Sequence, residues 1–236
     1  MPCSFDAIRP SARAVRRWLL GAAILLAWPL EMNAWSPSRI VQAAARHGAQ
    51  ALREAEALRM VMAAARTQGE RGRIDAINTF YNRHLRYGDD MDTWGEVDYW
   101  ASPLEALQRG LADCEDYAIA KYVTLAAVGV PQRKLRMVYV RLIKAATPDV
   151  PGGLVQPHMV LAYYPSPDAE PLLLDNLVDE VVQVDARPEL QPVFSFNTEG
   201  LWEGVGRVEI AGAGPVERLS RWRDALSKAR LDGFLL

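Results

Sequence analysis

Cysteine is almost absent from this 236-residue chain: there are two, Cys3 and Cys114, so a disulfide framework is excluded. Histidine is nearly as scarce, and His47, His84 and His158 are the whole supply of imidazole bases. The chain also lacks an excess of either charge. Its 27 basic and 29 acidic side chains give a net charge of −2, and no arginine-rich run or basic stripe stands out, which argues against a nucleic-acid partner. There is no internal repeat and no low-complexity tract. Long apolar runs are missing everywhere except near the N-terminus.

That N-terminal exception has a recognisable order. Arg9, Arg13, Arg16 and Arg17 precede the apolar run from Trp18 to Leu30, which is shorter than the roughly 20 residues a spanning helix needs. A basic, then apolar, then small-polar order reads as a secretory signal peptide over residues 1–34, cleaved after Ala34, with Met32 where a smaller residue is preferred. The rival reading is an uncleaved inner-membrane anchor. Cleavage leaves 202 residues with 23 basic and 27 acidic side chains, enough for one buried core over residues 35–236. The mature chain is then exported to the periplasm and not embedded in the membrane. It carries one thiol, Cys114, in an oxidising compartment with no disulfide partner, which points to a thiol that does chemistry.

Residues 39–66 are alanine-rich and predict one or two helices, and Ile74, Ile77, Tyr81 and Leu85 predict another. The acidic, aromatic stretch from Gly88 to Trp100 has no period and reads as an ordered loop. Ser102-Pro103-Leu104-Glu105 has the form of a capping box opening a short helix that stops at Gly110. A longer, largely apolar helix begins at Asp113 or Cys114 and runs to Val128, ahead of Gly129 and Pro131. Beyond it the chain is strand-like: Leu135 to Leu142, His158 to Tyr164, Pro171 to Leu174 and Glu180 to Val184, with a loop from Lys144 to Gln156. A last helix from Val216 to about Leu231 places Leu219, Trp222, Leu226 and Ala229 on one face. Helices first and an antiparallel sheet second define an α+β fold, with Cys114 at a helix N-terminus packed on the sheet.

A helix N-terminus favours a thiolate through its unpaired N–H groups and its dipole. The neighbours Asp113, Glu115 and Asp116 oppose it, because like charges disfavour ionisation. His158 follows a loop rich in proline and glycine, and Asp175 ends the next strand. If those strands pair, the aspartate can orient the imidazole, and Cys114, His158 and Asp175 form a nucleophilic triad. Each of the two has a bland alternative, a structural histidine and a turn aspartate. Trp94 and Trp100 read as packing residues or as walls of the thiol's cleft, and Tyr117 as core. The three acids read either as partners of the helix dipole, the commoner role, or as ligands of a calcium ion; their spacing is not that of an EF-hand.

Several ordered blocks resemble the bacterial transglutaminase-like cysteine peptidases. They are Asp98-Tyr99-Trp100-Ala101-Ser102-Pro103-Leu104-Glu105, Asp113-Cys114-Glu115-Asp116-Tyr117-Ala118-Ile119-Ala120-Lys121-Tyr122, His158-Met159-Val160-Leu161-Ala162-Tyr163-Tyr164, Pro171-Leu172-Leu173-Leu174-Asp175-Asn176-Leu177 and Pro192-Val193-Phe194-Ser195-Phe196-Asn197. The resemblance spans about Asn78 to Trp202. It implies a papain-like, transglutaminase-type fold and catalysis by Cys114, His158 and Asp175. It further implies Ca2+ held by Asp113 and Glu115, with Asp116 an additional ligand, and a calcium-dependent periplasmic endopeptidase. The implied substrate is a large surface adhesin cut near its N-terminus at a di-alanine site, which releases it and disperses biofilm. The implied inhibitor is an inner-membrane cyclic-di-GMP receptor. Ala112 stands where the family pattern has glycine, and Val184-Asp185-Ala186-Arg187-Pro188 departs from a serine-containing pattern. Two other classes remain: transglutaminase or amidase acyl transfer on the same triad, and a non-catalytic calcium-binding adaptor, against which the intact triad argues.

Overall fold

A computed structural model describes residues 37–146, 151–210, 220–234 and 236. The signal expected over residues 1–34, and residues 216–219 expected to open the last helix, lie outside the described residues. The alanine-rich start forms two helices, α1 (Pro37–His47) and α2 (Ala49–Arg66), parted at Gly48, whose φ of 105° suits glycine. Ala51, Ala55, Leu58, Met62 and Ala65 make the buried stripe of α2 at three- and four-residue steps. In α3 (Glu70–His84), Ile74, Ile77, Asn78 and Tyr81 face inward.

The acidic stretch after α3 is more structured than a loop. Strand β1 (Arg86–Tyr87) leads into it and helix α4 (Asp90–Trp94) forms within it, the latter capped by Asp89 and ended at Gly95 in the left-handed region. Helix α5 (Pro103–Arg109) has the expected capping box: Ser102 accepts from the Glu105 N–H and Glu105 returns to the Ser102 N–H. Strand β2 (Leu111–Ala112) pairs in parallel with β1, matching Tyr87 to Ala112. Ala112 is fully buried in extended backbone, with no positive φ that would need glycine. The chain then enters α6 (Cys114–Ala127), buried nearly all round and stopped at Gly129, whose φ is 93°. That burial is what a helix at the centre of an α+β molecule requires.

One six-stranded sheet packs on α6: β3 (Leu135–Lys144), β4 (Leu154–Tyr163), β5 (Leu172–Leu174), β6 (Val182–Gln183), β7 (Leu190–Phe196) and β8 (Leu201–Glu203). Their order is β6-β5-β4-β3-β7-β8, and every neighbouring pair is antiparallel. The period of two sorts β3 between two cores. Leu135 and Met137 join the helical core, whereas Val138, Val140 and Leu142 join Val160, Ala162 and Leu190 on the other face. Two sequence expectations shift. Strand β4 starts at Leu154, four residues before His158, because the long β3 ladder draws those residues into pairing as far as Lys144 and Leu154. The chain after Val184 adds two strands, β7 pairing with β3 and β8 with β7. Helix α7 (Ser220–Leu231) closes the helical side, with Trp222 meeting Tyr122 and Phe196 edge-on.

Candidate active site

Helix α6 delivers the thiol on its first turn. Asp113 is the N-cap: its carboxylate accepts from the Asp116 N–H at 3.3 Å and its carbonyl from the Tyr117 N–H. The N–H groups of Cys114 and Glu115 precede the helical ladder, so this end is equipped to receive a developing negative charge. The half-buried Cys114 Sγ donates to Glu115 Oε2 at 3.0 Å. Burial raises the thiol's pKa, the charges of Glu115 and Asp113 raise it further, and a hydrogen bond from the Met159 N–H only partly offsets them. Bare carboxylates thus disfavour the thiolate here.

The sheet delivers the base. His158 is buried in β4, just beyond where the β5 ladder ends at Leu161 and Leu174, and its Nε2 lies 2.8 Å from Asp175 Oδ1. With Nε2–H donated to that carboxylate, Nδ1 keeps its lone pair for a thiol proton. Asp175 is held from several sides. Its Oδ1 also accepts the Leu177 N–H at 3.1 Å, and Oδ2 is 2.9 Å from Arg187 Nη1. Burial alone would raise the Asp175 pKa, but the bond from His158, the Leu177 N–H and the Arg187 charge bring it below the ordinary value. Helix α3 fixes the backbone here: Asn82 donates to the carbonyls of Asp175 and Val178, and Asn78 to that of Asp179.

Cys114 and His158 share two adjoining clefts of about 450 and 470 Å³. The first is walled by Trp100, Tyr139, Met159, Phe194 and Phe196, and Tyr139 stacks on Phe194 at 5.3 Å. The second is more polar, with Lys144, Gln156 and Asn176 beside Leu142 and Leu177. The thiol thus sits where an extended chain could lie across both. Trp94 stays out of these clefts and stacks on Tyr99, and Tyr117 is core.

Beside the thiol three carboxylates converge. One oxygen each from Asp90, Asp113 and Glu115 lie within 4.8 Å of one another. Burial, then the charge of neighbouring acids, raises the pKa of Asp113 to about 10 and that of Asp90 to about 6. Such crowding is unfavourable for bare acids and suits a hard divalent cation that takes oxygen donors in irregular geometry, so these residues fit calcium. Of the predicted ligands, Asp113 and Glu115 are in the group and Asp116 is not. Its Oδ1 accepts the Ala101 N–H at 2.6 Å, and its buried Oδ2 has no hydrogen-bond partner among the described residues. Burial raises the Asp116 pKa well above the ordinary value. Asp90 was not singled out from sequence, because only the β1–β2 pairing brings α4 to the start of α6. Met159, Asn82 and Arg187 were missed too, since backbone contacts and loop partners leave no pattern in a single sequence.

A nucleophile on the first turn of a central helix, with its base and orienter on the sheet packed against that helix, is the arrangement of papain-like thiol hydrolases. Fold and site assign the chain to that class. Residues 45–188 match the family described as bacterial transglutaminase-like cysteine proteinase, BTLCP, and the chain belongs to this family. Solved structures of Legionella pneumophila LapG are similar over 82% of this chain. The match is 34% identical with a TM-score of 0.65, covering 97% of that chain. For the calcium-bound form it is 35% identical with a TM-score of 0.66, covering 98% of that chain. The EGTA-treated form matches with a TM-score of 0.67 at 34% identity, again covering 97% of that chain. No curated protein sequence matches the chain.

Proposed function

We propose that this cysteine peptidase is a calcium-dependent periplasmic endopeptidase. Its proposed substrate is a large repeat adhesin, cut near the adhesin's N-terminus at a di-alanine site, which frees the adhesin and disperses biofilm. The observation that carries the peptidase reading is that His158, paired with the buried Asp175, lines the clefts that also hold Cys114. His158 takes the thiol proton, and the sulfur attacks a substrate carbonyl carbon. The C–N bond breaks as His158 returns the proton to the leaving amine, and water then cleaves the thioester to regenerate the thiol. Asp90, Asp113 and Glu115 would hold Ca2+, whose charge would offset the acids that add to burial in disfavouring the Cys114 thiolate. Support for calcium comes from that cluster and from the calcium-bound structure of the Legionella protein. An inner-membrane cyclic-di-GMP receptor is the proposed inhibitor. Periplasmic location rests on the N-terminal signal pattern; among the described residues no helix is long and apolar enough to cross a membrane.

The test is incubation with the N-terminal region of an adhesin encoded nearby, with and without calcium. New termini should appear only with calcium, EGTA should stop the reaction, and Cys114→Ala should abolish it while leaving thermal unfolding intact. Cleavage that persists in Cys114→Ala removes the thiol mechanism, and undiminished cleavage in EGTA removes calcium. Isopeptide products detected by mass spectrometry would instead favour acyl transfer to an amine.

A further inference from the structure

We propose that Arg187 is a positioning residue of the triad, holding Asp175 Oδ2 so that Oδ1 stays aimed at His158. This rests on the triad reading and extends it to a residue on the short turn between β6 and β7. Arg187 is 7% exposed, and its Nη1 lies 2.9 Å from Asp175 Oδ2. Glu189 holds the guanidinium from its other side by accepting from Nε. The backbone of the turn is closed as well, by Arg187 N–H to the Val184 carbonyl and Leu190 N–H to the Arg187 carbonyl.

The physical need is specific. An aspartate side chain can rotate about its last torsion, exchanging its two oxygens or turning both from the imidazole. The Leu177 N–H and His158 both use Oδ1, so neither holds Oδ2. Arg187 alone among the described residues forms an ion pair with that atom. The contact is an ion pair out of hydrogen-bonding alignment, so it holds Oδ2 by charge, and Glu189 keeps the guanidinium in place beside it. The guanidinium charge also adds to the His158 and Leu177 N–H contacts that favour the ionised carboxylate, the form that accepts most strongly from the imidazole N–H. Arg187 touches Asp175 and lines neither thiol cleft, so its effect is exerted through His158.

The experiment uses the full-length chain with calcium and needs no substrate. The rate of Cys114 alkylation by iodoacetamide is followed by mass spectrometry of the Cys114 peptide, which separates it from Cys3. Arg187→Gln should slow alkylation about tenfold, the scale of loss when a reacting group loses its orientation. In Arg187→Gln the downfield proton resonance of the His158–Asp175 bond should broaden or move upfield. Arg187→Lys should recover part of both signals. In an Asp175→Asn background, Arg187→Gln should cost no further rate. A structural role would give equal losses in both backgrounds with an unmoved resonance, and that result overturns the proposal, as does a parent-like rate in Arg187→Gln. If Arg187→Gln fails to fold, Glu189→Gln, which frees the guanidinium but leaves the Asp175 contact, supplies the test: the resonance must broaden, and an unchanged one overturns the proposal. His158→Ala separates this from the triad itself. Alkylation that ignores His158 sinks the triad reading, whereas dependence on His158 without dependence on Arg187 sinks this inference alone.

Discussion

At the scale of single residues, the site sets a thiol against its own neighbours. Cys114 gains from the helix end and the Met159 N–H, yet burial and two adjacent carboxylates outweigh both, so its ionisation depends on neutralising those acids. A second residue on the same helix works against stability. Lys121, two turns beyond Cys114, is 0% exposed, and its Nζ has no hydrogen-bond partner among the described residues. Burial lowers its pKa to about 7, against the opposing charges of Asp175 and Asp179. An unfolded lysine stays protonated to about pH 10.4, so between pH 7 and 10 the unfolded chain binds more protons and stability rises with pH. Lys121→Met should therefore raise the Tm near pH 7, by ~1–4 kcal/mol of stability, and flatten that rise. Thermal melts at several pH values check this, and a lower Tm for the variant at pH 7 would contradict it. Sequence showed where both residues lie on α6, but not that Lys121 is sealed in, because which face of a uniformly apolar helix meets solvent is set by its partners.

At the scale of elements, the N-terminus of α6 is where local chemistry and long-range pairing meet. Cap, short helix, left-handed glycine and second cap follow one another from Ser102 to Cys114, and all of it is legible because capping is chemistry between near neighbours. Asp90 is different. It reaches the site because β1 pairs with β2, two residues each, which no periodicity in so short a segment could reveal. Calcium should raise the Tm of the parent protein. Asp90→Asn should weaken the apparent calcium affinity about tenfold or more, as expected when one anionic ligand is lost. Melts over a calcium titration measure it, and an unchanged affinity would take Asp90 out of the ligand set. Protons compete with the ion for these acids, so the calcium-induced rise in Tm should be smaller at pH 5 than at pH 7.5.

At the scale of the whole molecule, the segment beyond the family match is part of the site. The match ends at residue 188, yet β7 supplies Phe194 and Phe196 to the cleft. From α7, Lys228 donates to the Trp100 carbonyl at 2.9 Å and sits over the Tyr99 ring, bracing the cleft's wall. Trp222 is 1% exposed against Tyr122 and Phe196. Trp222→Ala should cost ~3–5 kcal/mol in urea unfolding, and a chain ended after residue 188 should lose its dispersed amide spectrum. A folded truncated chain would show that the sheet needs neither β7 nor α7. By itself, the sequence determined the α+β order of elements, the thiol at a helix start, and the His158 and Asp175 that follow on adjacent strands. These are readable because capping, side-chain period and residue scarcity act over a few positions. Only the tertiary structure decided that Asp90 and not Asp116 joins the carboxylate group, and that Arg187 grips Asp175. It also decided that Lys121 is buried. Those outcomes depend on which distant segments the sheet and the β1–β2 pair bring together, and on the cost of enclosing charge once they meet.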